Sequence, residues 1–207
     1  MDIELKNLGK RFNRQWIFRK LDFSFRQGKA YAITGYNGSG KSTLLQIMAG
    51  AIEKNEGEII FQAAGKQIDP ENYYRYFSFS APYLELIEEL TLTEFFQFHF
   101  SLKPVLEGFT IPQVIDKIEL TNAANKQIRQ FSSGMKQRAK LGQAFFSRVP
   151  IVLLDEPTAN LDVQGVELYL KLVSAFGKDR LLIICSNDEH EISFCEQRLH
   201  ISDYKNF

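Results

Sequence analysis

Residues 30–43, AYAITGYNGSGKST, constrain this chain more than any other stretch. AYAIT is a short apolar run that reads as a buried strand. It stops at a glycine, and from Lys41 the spacing of KSTLLQIMAG turns helical and ends at Gly50, a natural residue just past a helix. Gly35, Gly40, Lys41 and Ser42 satisfy G-x-x-x-x-G-K-[ST]. In that pattern the glycines let backbone N–H groups turn inward around phosphate oxygens, the lysine reaches the β and γ groups, and the hydroxyl faces Mg²⁺. The candidate phosphate-binding set is Gly35, Asn37, Gly38, Ser39, Gly40, Lys41, Ser42 and Thr43. A glycine-rich connector is the bland alternative, and the strand before and helix after argue against it.

A second segment supplies the acid that such a loop needs. In PIVLLDE (150–156) four apolar residues hold Asp155 at the carboxyl end of a strand, where ligands of open α/β sheets bind. A carboxylate there can hold Mg²⁺ beside Ser42, and Glu156 can accept a proton from an attacking water. An acidic pair after a strand is by itself more often a solvated strand end. Paired with the loop at 35–43, it reads as a nucleotide site.

The remaining pattern predicts an α/β fold with a mostly parallel sheet. PIVLLDE and RLLIICS (180–186) are apolar on both faces, as in a covered parallel sheet. The first 30 residues alternate and predict antiparallel strands around a turn at Gly28. GEIIFQAAGKQI (57–68) reads as a hairpin with Gly65 near its turn, and YYRYFSFS (73–80) as another strand. Between Leu84 and Gln130 the pattern turns helical, punctuated by Pro104, Gly108 and Pro112. Strand-like segments return afterwards, so the expectation is one domain, 1–207, with a helical insertion at about 84–138.

Charge excludes some partners. The chain has 25 basic and 25 acidic residues, leaving no net charge to drive binding to nucleic acid or anionic lipid. The polar, acidic start MDIELKN is not expected to be a signal peptide, and no apolar run approaches the length of a membrane span. Cys185 and Cys195 fit no metal motif and read as two free thiols of an intracellular, soluble protein.

GYNGSGKST, then FSSGMKQR (131–138), then IVLLDEPTANLD, in that order, resemble the nucleotide-binding subunit of an ATP-binding cassette (ABC) transporter. The similarity covers nearly the whole chain, and FSSGMKQR resembles the family's LSGGQ signature in a variant reminiscent of exporters. The resemblance implies a P-loop ATPase core with an antiparallel β edge subdomain, ATP and Mg²⁺ as ligands, and a homodimer sandwiching two ATPs head to tail. The signature of each copy then holds the γ-phosphate of the other. Ser132 Oγ and the Gly134 amide, at a positive helix end, suit a terminal phosphate; read alone, they are a helix cap. By the same resemblance Phe12 takes the place of the aromatic that stacks on adenine, with Trp16 a substitute, and Asp162 lies in the loop that crosses the dimer interface. It also implies a separately encoded transmembrane permease subunit and a position on the inner face of the cell membrane through that partner. The competing readings are a soluble ABC ATPase and a weakly hydrolysing ATP-dependent clamp.

The chain departs from the family in three places. Ser133 and Met135 replace the usual glycine and glutamine of the signature. No glutamine lies between Gln67 and Gln97, so the family's Q-loop residue is replaced by Ala81 or Pro82. Asn187 stands where a switch histidine is usual; an amide can hydrogen-bond a γ-phosphate but carries no charge, and His190 is the alternative. Asn187 joins Glu156 as a candidate catalytic residue, with slow hydrolysis expected. In PYLELIEELTLTEFFQFHF (82–100), Phe95, Phe96, Phe98 and Phe100 cannot share one helix face, which leaves some for an interface with a membrane partner or for an insertion core.

Overall fold

A computed structural model describes residues 1–205. The first strands, β1 (Asp2–Phe12) and β2 (Gln15–Phe25), form an antiparallel pair whose turn is Asn13–Arg14, not Gly28. Asn13 takes a left-handed backbone (φ 53), which asparagine tolerates. Gly28 instead links β2 to β3 (Ala30–Thr34), and these two strands lie in different sheets. With β4 (Glu56–Ala63) and β5 (Lys66–Gln67), the first pair makes a four-stranded antiparallel sheet in the order β2-β1-β4-β5.

The second sheet has five strands, all paired in parallel: β6 (Phe77–Ser80), β7 (Ile151–Asp155), β8 (Leu181–Cys185), β3 and β9 (Gln197–His200). YYRYFSFS is a strand only in its second half. Asp69 accepts from the Glu71 N–H at 3.0 Å and Pro70 opens a 3₁₀ turn that runs to Arg75. β9 is an edge strand with three exposed residues of four, so it lacks the apolar run that marked its neighbours.

Both faces of the parallel sheet are covered. In β7, Ile151 and Leu153 enter the core shared with the antiparallel sheet and helix α1 (Lys41–Met48), whereas Val152 and Leu154 enter a second core. In β8, Leu181, Ile183 and Cys185 alternate with Leu182 and Ile184 in the same way. The second core is closed by α2 (Leu92–Leu102), α3 (Ile111–Lys117), α4 (Ser133–Phe146) and α5 (Val163–Phe176). Thr91 and Glu94 form a capping box on α2. Helix α4 runs through position 138, the expected end of the helical insertion, and on to Phe146. No helix among the described residues is long and apolar enough to cross a membrane.

Candidate active site

The carboxyl ends of β3, β7 and β8 place three loops side by side. After β3 the chain turns through residues 35–40 into α1. The Ser39 N–H donates to the Tyr36 carbonyl at 2.9 Å, so the loop is folded on itself. Gly40 caps α1 with φ 107, and a Cβ there would sit 2.4 Å from Ile17 Cγ2, so glycine is required. Lys41 is buried, and its Nζ donates to the carbonyls of Gly35 (2.7 Å) and Tyr36 (3.4 Å). The ammonium is thus held by the loop's own carbonyls, as a buried cation must be. The cleft above is lined by Ile17, residues 37–43 and Glu156.

Asp155 ends β7 only 2% exposed, and neither carboxylate oxygen has a hydrogen bond of regular geometry. Burial pushes its pKa up; the Ser42 and Tyr83 hydroxyls and Lys41 act against that, while Glu156 adds to it. A buried, unpartnered carboxylate facing Ser42 is the donor set that suits Mg²⁺. No group of three His, Cys, Asp or Glu residues able to hold a metal occurs among the described residues. An ion here would therefore take its other oxygens from phosphate and water, as Mg²⁺ commonly does. Glu156 follows with φ 43, a left-handed backbone rare for a side-chain-bearing residue. Its N–H donates to the Cys185 carbonyl at 2.9 Å, which fixes the turn and leaves its exposed side chain in the cleft lining.

Asn187, two residues past β8, reaches the phosphate loop. Its Oδ1 accepts from the Gly35 N–H at 3.1 Å and its Nδ2 donates to the Gly35 carbonyl at 2.8 Å. His190 is exposed in α6 (Glu189–Ile192), outside the cleft lining. Phe12, 46% exposed at the end of β1 with Lys10 Nζ over its ring at 4.7 Å, is also outside that lining. Trp16 carries the Arg19 guanidinium over its ring at 4.5 Å.

Ser132 and Gly134 open α4. Ser132 Oγ accepts from the Met135 N–H at 3.2 Å, a helix cap. With Asn160, Leu161, Asp162 and Arg138 they line a different cleft, which shares no residue with the cleft at the phosphate loop. Asp162 caps α5 through the Gly165 N–H at 2.8 Å and lies 3.4 Å from Arg138. In one chain the two candidate phosphate sites are separate.

Three residues escaped the sequence reading. Tyr83 follows β6, its ring centroid 6.4 Å from that of Phe79. Lys140 of α4 donates to the carbonyls of Ala81 (3.1 Å) and Pro82 (2.8 Å), holding the Tyr83 loop. Glu191, buried in α6, accepts from the Thr158 N–H at 2.7 Å and so ties the segment after Glu156 to the segment after Asn187. A polar side chain just past a strand end was the available signal for Tyr83; nothing in the sequence marks the partners of Lys140 and Glu191.

The comparisons agree with this geometry. The sequence model of the ABC transporter family matches residues 18–159. The chain is 29% identical over 210 residues to SrtF of Streptococcus pyogenes, a lantibiotic transport ATP-binding protein, covering 99% of this chain and 86% of the relative. It is 29% identical over 188 residues to CcmA of Vibrio cholerae, a cytochrome c biogenesis ATP-binding export protein, covering 90% and 91%. Among solved structures, the ATP-binding subunit of an ABC transporter superposes with a TM-score of 0.84 at 25% identity, covering 98% of this chain and 87% of that one. With the loop at 35–43, the buried acid at 155 and the capped glycine turn at 132–134 on one fold, the chain belongs to the ABC transporter family.

Proposed function

We propose that this chain is the ATP-hydrolysing subunit of a membrane transporter, acting as a head-to-tail homodimer on a separately encoded permease at the inner membrane face. The observation that carries the reading is the orphaned carboxylate of Asp155 beside Ser42 at the phosphate loop. Likeness to an export protein supports export as the direction.

In this reading Lys41 exchanges the Gly35 and Tyr36 carbonyls for β- and γ-phosphate oxygens. Ser42 and Asp155 would hold Mg²⁺, which would supply positive charge against the phosphate oxygens. Glu156 accepts a proton from water as the water oxygen bonds to the γ-phosphorus and the bond to the β-γ bridging oxygen breaks, releasing ADP and phosphate. Asn187 offers one neutral hydrogen bond to the γ-phosphate, and the partner copy's signature loop closes over it. A weakly hydrolysing clamp is the second reading, favoured by the uncharged amide at 187.

Light scattering with Mg·ATP tests the dimer. Glu156→Gln keeps size and hydrogen bonding but removes the base, so its mass should double with Mg·ATP. Ser132→Arg should stay monomeric while still binding nucleotide, since the phosphate loop is untouched. A Glu156→Gln protein that stays monomeric at saturating ATP overturns the dimer. Wild-type phosphate release no faster than that of Glu156→Gln, with the permease present, favours the clamp.

A further inference from the structure

The turn that carries Glu156 is held by a buried acid from another element. Pro157, the next residue, has no N–H to donate, so Thr158 offers the first backbone donor after Glu156. That N–H donates to Glu191 Oε1 at 2.7 Å, and the Thr158 hydroxyl donates to the same oxygen at 2.5 Å. Glu191 is 3% exposed and is set in place by its own backbone. Its N–H donates to the Asp188 carbonyl at 3.0 Å, and the buried Tyr169 hydroxyl of α5 donates to its carbonyl at 2.9 Å. Asn187, next to Asp188, holds Gly35. One carboxylate thus joins the segment of Glu156 to the segment that reaches the phosphate loop. Neither Glu191 nor Thr158 lines the cleft at that loop.

We propose that Glu191 is a positioning residue for hydrolysis: through Thr158 it sets where the Glu156 carboxylate stands relative to Asn187 and the phosphate loop. This rests on the assignment of Glu156 as the base. Glu156 has a left-handed backbone (φ 43), and the Ala159 N–H donates back to its carbonyl at 3.0 Å. A conformation so rare for a side-chain-bearing residue persists only where its surroundings over-determine it. The two bonds to Glu191 supply part of that constraint, and hydrogen bonds to a carboxylate are the stronger kind. Removing the acid does not release the turn altogether. Gln137 of α4, also buried, donates to the Pro157 carbonyl at 2.7 Å and keeps the turn seated from that side. What is lost is the register of the turn against α6. Misplacing a reacting group by about 1 Å can cost about 100-fold in rate, here with the phosphate loop left intact.

Three variants test it. Glu191→Ala removes the acceptor, Glu191→Gln keeps a carbonyl oxygen for both donors, and Thr158→Val removes the hydroxyl bond alone. Phosphate release is measured in single turnover with Mg·ATP, per nucleotide bound, so misfolded protein does not count. Glu191→Ala should be about 10- to 100-fold slower at saturation, with half-saturating ATP changed less than about twofold. Glu191→Gln should restore most of the rate, and Thr158→Val should fall between. In a Glu156→Gln background, Glu191→Ala should slow the residual rate less than about twofold, since a base that is absent cannot be misplaced. A side chain that only stabilises the fold would slow both backgrounds alike. In nucleotide-free protein, the Thr158 amide should exchange its hydrogen at least about tenfold faster in Glu191→Ala, with the amides of Leu153 and Ile183 unchanged. Equal slowing in both backgrounds, a wild-type rate in Glu191→Ala, no recovery in Glu191→Gln, or unchanged Thr158 exchange overturns the proposal. If Glu191→Ala fails to bind nucleotide, Thr158→Val, which keeps the acid, decides by the same comparison of backgrounds. Wild-type release no faster than that of Glu156→Gln sinks the base assignment and this role with it, whereas unchanged Thr158 exchange sinks the tether and leaves the base standing.

Discussion

Asn187 shows how much one residue's role depends on what it already touches. Its amide both accepts from and donates to Gly35, so before any nucleotide binds it fastens the segment after β8 to the start of the phosphate loop. A net worth of about 1 kcal/mol per hydrogen bond is typical, and less is expected at this exposed position. Asn187→Ala should therefore lower nucleotide-free stability by about 1 kcal/mol in urea unfolding and slow steady-state phosphate release, with ATP affinity changed far less. Asn187→His should raise turnover about tenfold, which takes only ~1.4 kcal/mol of added transition-state stabilisation from a charge-assisted bond. If Asn187→Ala releases phosphate as fast as wild type, position 187 is no switch. The identity of this residue was legible from its place after a buried strand. Its bond to Gly35 was not, because 152 residues separate the two and only the β3–β8 pairing brings them together.

At the scale of elements, helix α2 settles the question its aromatics raised. Phe95 and Phe96 are buried, Phe100 stacks on Phe96 with centroids 5.5 Å apart, and Phe98 stays 49% exposed. Of the four phenylalanines, Phe98 is the exposed one. Phe98→Ser should leave unfolding free energy within about 0.5 kcal/mol of wild type, whereas Phe100→Ser should cost roughly 2 kcal/mol or more. Co-purification with the permease then has one clean variant, and equal recovery of Phe98→Ser and wild type removes Phe98 from the docking surface. The same helix carries a pH dependence. His99 Nε2 lies 2.8 Å from Ser147 Oγ at the end of α4; burial, with Lys103 one turn on, lowers its pKa to about 4. An unfolded histidine titrates near 6.5, so between those values the unfolded state binds more protons. Its contribution is thus complete above about pH 6.5 and is lost as pH falls toward 4, by up to roughly 3 kcal/mol before allowance for partial exposure. His99→Gln should flatten that part of a stability-against-pH curve; an unchanged slope would place the acid sensitivity elsewhere. Turns were the elements read least well. Gly28 outweighed Asn13–Arg14 as a turn signal, and the tyrosines before β6 imitated a strand that Pro70 in fact prevents.

The whole molecule is organised around a separation. One face of the parallel sheet packs on the antiparallel sheet and α1, the other on α2 to α5, and this layering was legible because β7 and β8 are apolar on both sides. The edge strand β9 was not, since an exposed strand has no such run. The layering leaves the phosphate loop and the Ser132–Gly134 turn in clefts without a common residue. A site built from both must then draw them from two copies, and a two-fold dimer makes two such sites. Complementation follows from that geometry. Lys41→Ala destroys the phosphate loop of its own copy, and Gly134→Asp sets a negative charge where the other copy's γ-phosphate would lie. Each protein alone should be inactive. In a mixed dimer one composite site receives both defects, while the other combines the intact loop of the Gly134→Asp copy with the intact turn of the Lys41→Ala copy. Equal mixing gives half mixed dimers with one good site of two, so phosphate release should recover to at most about a quarter of wild type per subunit. Activity should peak at equal proportions and fall on dilution of the mixture. No recovery from two folded, nucleotide-tested proteins would mean that each copy completes its own site, and the separation of the clefts would then have to close within one chain.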